Sequence, residues 1–365
     1  MEPAPPLDVL AGQAVIAGFE GREAPAELTE RVARGHVGGI VLFARNVGTV
    51  HEVADLNATL ASSAPRDLPL LLAVDQEGGR VARLKAPVLA LPPMRVLGDI
   101  DDTSLTDRAA RALGAELRAL GFNMDFAPVV DVDTNPANPV IGDRAFGRDP
   151  RAVMRHAVAF LEGLQGVGVL ACAKHFPGHG DTELDSHLAL PRVRHDMRRL
   201  RAVELPPFFA AAGAGVASVM TAHVVYDALD PDVPATLSSA IVTGLLRDEM
   251  GFDGIVFSDD LEMKAIADST GVGEAAVRAV GAGCDAVLVC RKAELQEEAR
   301  EALVRAARDD AGFQDRLRRA FERSVRVRRM APAPLRADFV RIATTIGSEA
   351  HAALAAEIAA RATPH

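Results

Sequence analysis

Short runs of apolar residues rich in valine and isoleucine recur along the chain at 14–19, 39–43, 70–74, 124–127, 169–173, 218–221, 254–257 and 286–289. Most are continuous rather than alternating, the pattern of strands buried on both faces. Each ends in polar residues and gives way to an alanine- and arginine-rich stretch with helical periodicity. The spacing predicts a helix over 107–120, opening at Thr106 or Asp107 and stopping before Gly121. It predicts another over 152–165, beginning after Pro150 and ending before Gly166. Eight strand-then-helix repeats are the number that closes a parallel barrel, so the expected fold is α/β, a single (β/α)8 TIM-type barrel.

An open doubly wound sheet would share that rhythm, but in a barrel the polar, reactive residues crowd the C-terminal ends of many strands. They do so here. The third run passes into Asp75, Gln76, Glu77, Gly78, Gly79 and Arg80; the fourth leads to Asp131 and Asp133, and the fifth to Lys174 and His175. The sixth leads to His223, the seventh to Asp259 and Asp260, and the eighth to Arg291. No G-x-G-x-x-G or Walker loop follows the first run, which weighs against a dinucleotide site. Beyond residue 292 helical patterns dominate: 292–329 is strongly charged, and 348–360 reads as an amphipathic end helix after a proline-containing link at 331–334. The expected organisation is one barrel domain over residues 1–330 and a helical C-terminal tail over 331–365.

Composition narrows the function classes. Of 365 residues 49% are hydrophobic and 25% charged, the balance of a chain with a sizeable core. The net charge of −10 leaves no global positive field for a phosphate backbone or an anionic membrane, so neither nucleic acid nor membrane is an expected partner. No apolar run reaches the roughly 18 residues of a membrane span. The opening MEPAPPLDVLAGQA carries acids and prolines where a secretory signal has a basic start and an apolar stretch, and the expected location is cytoplasmic. Cys172, Cys284 and Cys290 stand in apolar surroundings without paired spacing, which reads as small buried hydrophobes.

The densest chemistry lies at 174–187, KHFPGHGDTELDSH. Its proline and glycines favour sharp turns that aim side chains. His175, His179, Asp181 and His187 are competent metal ligands, but their spacing matches neither H-E-x-x-H nor a helical i, i+4 pair. The alternative is a dyad in which Asp185 fixes the tautomer of His187 while the other ring nitrogen carries the transferred proton. The second dense segment, GIVFSDDLEM at 254–263, ends a buried strand in adjacent aspartates that project in different directions. One of them can attack while the other holds the loop, although Ser258 or Asp259 would equally suit a helix N-cap. Asp75, Arg83, Arg144 and Lys174 supply charge and fixed donors able to grip hydroxyl groups. The chain has no tryptophan and one tyrosine, so stacking platforms are scarce and recognition would rest on buried hydrogen bonds.

These segments resemble a known family. VDQEGG at 74–79, LPPMRVLG at 91–98, NPVIGDRAFGRDP at 138–150, the loop at 174–187, MTAHVVYDALDPDVPATLS at 220–238 and FSDDLEM at 257–263 are together similar to glycoside hydrolase family 3, over about residues 10–295. The resemblance is strongest to its bacterial β-N-acetylglucosaminidases of peptidoglycan recycling, which are single barrels. It implies a retaining exo-hydrolase acting on terminal β-linked N-acetylglucosamine of muropeptide fragments. Asp259 would be the nucleophile, and Asp185 with His187 the acid/base pair. Asp75, Arg83, Arg144, Lys174 and His175 would bind the sugar, with no metal or cofactor. Asp260 would brace the loop. A histidine acid/base departs from the usual two-carboxylate scheme, so the carboxylate-separation rule does not apply. The alternatives that stay open are a phosphorylase of the same family, a sugar-binding protein without turnover and a metallohydrolase. The tail at 331–365 matches no motif, and the sequence does not give the oligomeric state.

Overall fold

Strand residues partition between two packed layers, which explains why the apolar runs are continuous. Ile16, Val41, Leu71, Phe257 and Leu288 join Phe126 and Met220 in one buried cluster inside the sheet. Their neighbours Val15, Ile40, Leu72, Val256 and Val287 belong to a second cluster shared with the surrounding helices. The computed structural model describes residues 5–183, 190–332 and 337–362. Its sheet is a closed barrel of parallel strands: β1 (Val15–Ala17), β2 (Gly39–Leu42), β3 (Leu71–Val74), β4 (Met124–Asp125), β5 (Leu170–Phe176), β6 (Ser218–Thr221), β7 (Ile255–Asp260) and β8 (Ala286–Val289). Each pairs with its neighbours in sequence, and β8 closes on β1 with Val15 opposite Val287. The expected (β/α)8 barrel is therefore the fold.

Two strands run further than their apolar stretches. β5 continues through Lys174 and His175 to Phe176, where a loop was expected after Ala173, and β7 continues through Asp259 and Asp260. Both carry register shifts, between Lys174 and Phe176 against β6 and between Phe257 and Asp260 against β8. Such irregularities keep a strand paired while re-aiming a side chain, and here they fall where polar residues replace apolar ones.

Capping explains the helix boundaries. Asp102 accepts from Leu105 N–H at 3.1 Å, so the third barrel helix starts at Thr103, earlier than Thr106 or Asp107, and runs to Ala119. Asp149 caps the fourth at Arg151 N–H, which brings Pro150 inside the helix as its first residue, Pro150–Gly166. The charged stretch after β8 is two helices, Ala293–Asp309 and Ala311–Arg328, divided at Asp310. At the N-terminal face, the buried Arg328 donates to Gln13 Oε1, Gly38 O and Pro69 O, tying the last barrel helix beneath β2 and β3. All three cysteines are buried and unpaired.

The tail forms helices Phe339–Thr345 and Glu349–Arg361, and Ile342, Leu354 and Ile358 enter the main core. It docks on helix Thr103–Ala119 through the fully buried Glu116, whose carboxylate accepts from Leu89 N–H at 2.6 Å, Gly347 N–H at 3.0 Å and His351 Nδ1 at 2.7 Å. Glu116→Ala strands those buried donors. The variant should lose about 2–4 kcal/mol in urea denaturation; a loss below about 0.5 kcal/mol would show that the tail docks without it.

Candidate active site

The C-terminal ends of the strands surround a cavity of about 310 Å³. Asp75, Arg83, Arg144, Lys174, His175 and Asp259 all line it, so six of the eight residues selected from the sequence converge on one space. The other two, Asp185 and His187, lie outside the described residues.

A buried charge network forms one wall. After β3, a small ribbon of Gln76–Gly78 against Val81–Ala82 turns the chain back and brings Glu77 beside Asp75. Lys174 Nζ, from β5, donates to Asp75 Oδ1 at 2.8 Å and lies 2.7 Å from Glu77 Oε1. Arg144, on the short helical turn Gly142–Arg144, grips Glu77 with two parallel hydrogen bonds of 2.8 Å. Burial alone would raise the Glu77 carboxyl, but Arg144 and Lys174 outweigh it and hold the group well below the usual carboxylate range. Burial likewise works against the charge on Lys174, and Asp75 and Glu77 restore it. Glu77, Arg144 and Lys174 therefore stay charged despite their burial. Arg83 approaches Asp75 Oδ2 at 3.5 Å and lies 5.9 Å from the ring of Phe43, the aromatic at this edge of the cavity.

The second wall hangs on Asp131, a fully buried carboxylate in the loop after β4. It accepts from His175 N–H, from His175 Nδ1 at 2.8 Å and from His179 N–H at 2.7 Å. His175 is thereby presented with its Nε2 edge free of this carboxylate and its ring on the cavity wall. Burial, reinforced by the neighbouring His175, lowers His179 to about 4, so its ring is neutral and bonds Thr182 Oγ1 at 2.8 Å. Asp181, the remaining candidate ligand among the described residues, pairs with Thr134 and His195. These partnerships account for side chains that could have been read as a metal site, and no group of three or more metal-ligating residues occurs among the described residues.

The third wall is the end of β7. Asp259 lines the cavity half-buried, its Oδ1 accepting from Asp260 N–H at 2.8 Å. Asp260 also lines the cavity, and its Oδ1 accepts from Glu262 N–H at 3.1 Å and Cys290 N–H at 3.3 Å. Burial pushes Asp260 up to about 7. His223 is fully buried behind this strand end and donates from Nε2 to the Asp260 carbonyl at 3.0 Å. The following helix begins at Lys264, capped at Met263, so neither Ser258 nor Asp259 serves as the N-cap that the sequence equally allowed.

Glu77, Asp131 and His179 complete the site; the sequence offers His179 only as a possible metal ligand, and Glu77 and Asp131 only as polar residues at strand ends. Glu77 had a further signal, since it stands two positions from Asp75 in VDQEGG, and alternation puts such residues on one face. The role of Asp131 had none, since it lies some forty positions from the loop it holds.

Residues 8–323 match the family model described as "Glycosyl hydrolase family 3 N terminal domain". The chain is 42% identical over 278 residues to a β-hexosaminidase of Nitrosomonas eutropha, covering 74% of this chain and 79% of that one. It is 42% identical over 293 residues to a β-hexosaminidase of Neisseria meningitidis serogroup C, covering 78% and 79%. A family 3 β-N-acetylglucosaminidase from Paenibacillus superposes with a TM-score of 0.93 at 43% identity, over 98% of this chain and 69% of that chain. NagZ from Neisseria gonorrhoeae superposes with a TM-score of 0.81 at 35% identity, over 96% and 98%. The chain belongs to glycoside hydrolase family 3. It is a glycoside hydrolase, and within the family its sequence groups with the β-hexosaminidases.

Beneath the charge network, Asp125 at the end of β4 accepts from Gln76 N–H at 2.9 Å, and burial pushes its carboxyl up to about 8, against 3.8 ordinarily. Across pH 4 to 8 the unfolded chain releases this proton and the folded protein keeps it, so stability falls as pH rises through that window. Asp125→Asn keeps the acceptor and removes the titration. Urea denaturation at pH 5 and pH 8 should show a smaller loss of stability in the variant than in the wild type; parallel losses would mean Asp125 does not carry this effect.

Proposed function

We propose that the protein is a retaining exo-β-N-acetylglucosaminidase that releases terminal, non-reducing N-acetylglucosamine from peptidoglycan fragments of the N-acetylglucosaminyl-anhydromuramyl type in the cytoplasm. The observation that carries the proposal is that Asp259 lines one sugar-sized cavity together with the fixed array of Asp75, Glu77, Arg144 and Lys174. The array offers rigid donors and acceptors for hydroxyl and amide groups at little ordering cost. A pocket with few aromatics suits one terminal residue better than a polymer sliding through. No helix among the described residues is long and apolar enough to cross a membrane. The names of the relatives, β-hexosaminidases and β-N-acetylglucosaminidases, support the choice of sugar.

In the proposed mechanism Asp259 attacks the anomeric carbon while His187, oriented by Asp185, protonates the departing oxygen. A covalent glycosyl ester on Asp259 results. His187, now a base, takes a proton from water, and the water displaces Asp259 with net retention. Asp75, Arg83, Arg144, Lys174 and His175 hold the sugar through both displacements. Asp260 keeps the strand end in place through Glu262 and Cys290.

Asp259→Ala should reduce hydrolysis of 4-nitrophenyl N-acetyl-β-glucosaminide by roughly a thousand-fold or more. His187→Ala should lower kcat/KM by about a hundred-fold on a sugar aglycone and far less on the nitrophenyl glycoside, which leaves without a proton. Equal losses on both substrates would remove the acid role from His187. Sugar 1-phosphate as the product in phosphate buffer would overturn the hydrolase reading in favour of a phosphorylase.

A further inference from the structure

The chain leaves β5 through residues 177–183 and returns through 190–196, and the proposed acid/base dyad lies between these two feet. The outgoing foot is held along its length. Tyr226 Oη donates to Gly178 O at 2.7 Å, Asn138 Nδ2 donates to His179 O at 2.9 Å, and Asp131 accepts from His179 N–H. A Cβ on Gly180 would lie 1.8 Å from Val132 O, so the backbones there are in direct contact. The returning foot is held separately: Arg192–Val193 pairs in parallel with Val225–Tyr226, and Asp196 caps the next helix by accepting from Arg199 N–H at 2.8 Å. Tyr226 thus joins both feet at depth.

Nearer solvent, one contact joins them directly. Asp181 Oδ2 accepts a hydrogen bond from His195 Nε2, fourteen positions away. Asp181 Oδ1 accepts from Thr134 Oγ1 at 2.7 Å, which ties the same carboxylate to the loop after β4. Both side chains are about a quarter to a third exposed, and neither lines the sugar cavity. A carboxylate and an imidazole this close are not needed to bury apolar surface, since the core lies beneath. What the contact does is fix the separation of the segment's two ends.

Resting on the reading of His187 as acid/base, we propose that the Thr134–Asp181–His195 chain is a positioning device for proton transfer: it holds together the two described ends of the segment that carries the dyad. Asp181 and His195 are positioning residues and touch no substrate. Geometry of this kind is worth a great deal in a proton-transfer step, where a misplacement of about 1 Å costs on the order of a hundred-fold. The effect is selective, because only leaving groups that need a proton sense it.

The test measures kcat/KM for His195→Ala, His195→Gln, Asp181→Asn and His187→Ala on 4-nitrophenyl N-acetyl-β-glucosaminide and on N,N′-diacetylchitobiose. His195→Ala should lose ten-fold or more on the disaccharide and less than about three-fold on the nitrophenyl glycoside, a split that general loosening of the fold would not produce. His195→Gln, whose amide N–H can donate to Asp181, should recover most of the loss; Asp181→Asn should show the same split as His195→Ala. If His187→Ala splits the two substrates but His195→Ala and Asp181→Asn reduce both equally or neither, the positioning role is overturned while the dyad stands. If His187→Ala itself shows no split, the dyad reading fails and this inference fails with it.

Discussion

Two acids and two bases share one buried wall, and the site depends on their mutual pairing. Glu77 would be pushed towards protonation by burial, and Lys174 towards deprotonation. Lys174 bridges the two acids at 2.8 and 2.7 Å and Arg144 forks onto Glu77, so the charges survive as a set. A network of this kind contributes little net stability, because desolvation offsets most of the Coulomb attraction. Its value is rigidity: it fixes the ribbon after β3, the register-shifted β5 and the turn at Gly142–Arg144 relative to one another. In the proposed function, a bound sugar then meets donors and acceptors already in place.

The same logic separates the roles of the two aspartates ending β7. Both come from one polar dipeptide and both line the cavity beside the shift in pairing between β7 and β8, with Asp260 held by the N–H groups of Glu262 and Cys290. His223 supports that arrangement from behind, through the Asp260 carbonyl. The nucleophilic role proposed for Asp259 thus rests on strand geometry as well as on residue type. Asp131 performs the corresponding service on the opposite side, organising His175 and His179 with a single carboxylate.

Much of this was legible before any coordinates. Continuous apolar runs identify strands buried on both faces, and all eight barrel strands fall on them because alternate residues serve the inner and outer layers. Lys174, His175 and Asp259 were legible as site residues, but not as members of strands: polarity ended the apolar runs at 173 and 257, whereas tertiary hydrogen bonds carry β5 to Phe176 and β7 to Asp260. Helix starts moved for a similar reason, since Asp102 and Asp149 cap from positions just outside the periodic pattern. Asp131 was legible as a strand-end acid but not in its role, and Thr134 and His195 were not legible at all, because what they hold is distant in sequence. Only the fold brings Asp131 to His179, or His195 across a loop to Asp181.

The account centres on a transient ester between the sugar's anomeric carbon and Asp259. Incubating the enzyme with a 5-fluoro N-acetylglucosaminyl fluoride, which forms the intermediate but releases it slowly, and mapping the peptides by mass spectrometry tests it most directly. One added fluorosugar on the peptide containing Asp259, absent from Asp259→Ala, is the predicted result. Label on any other residue, or no covalent adduct under conditions where the substrate turns over, would contradict it.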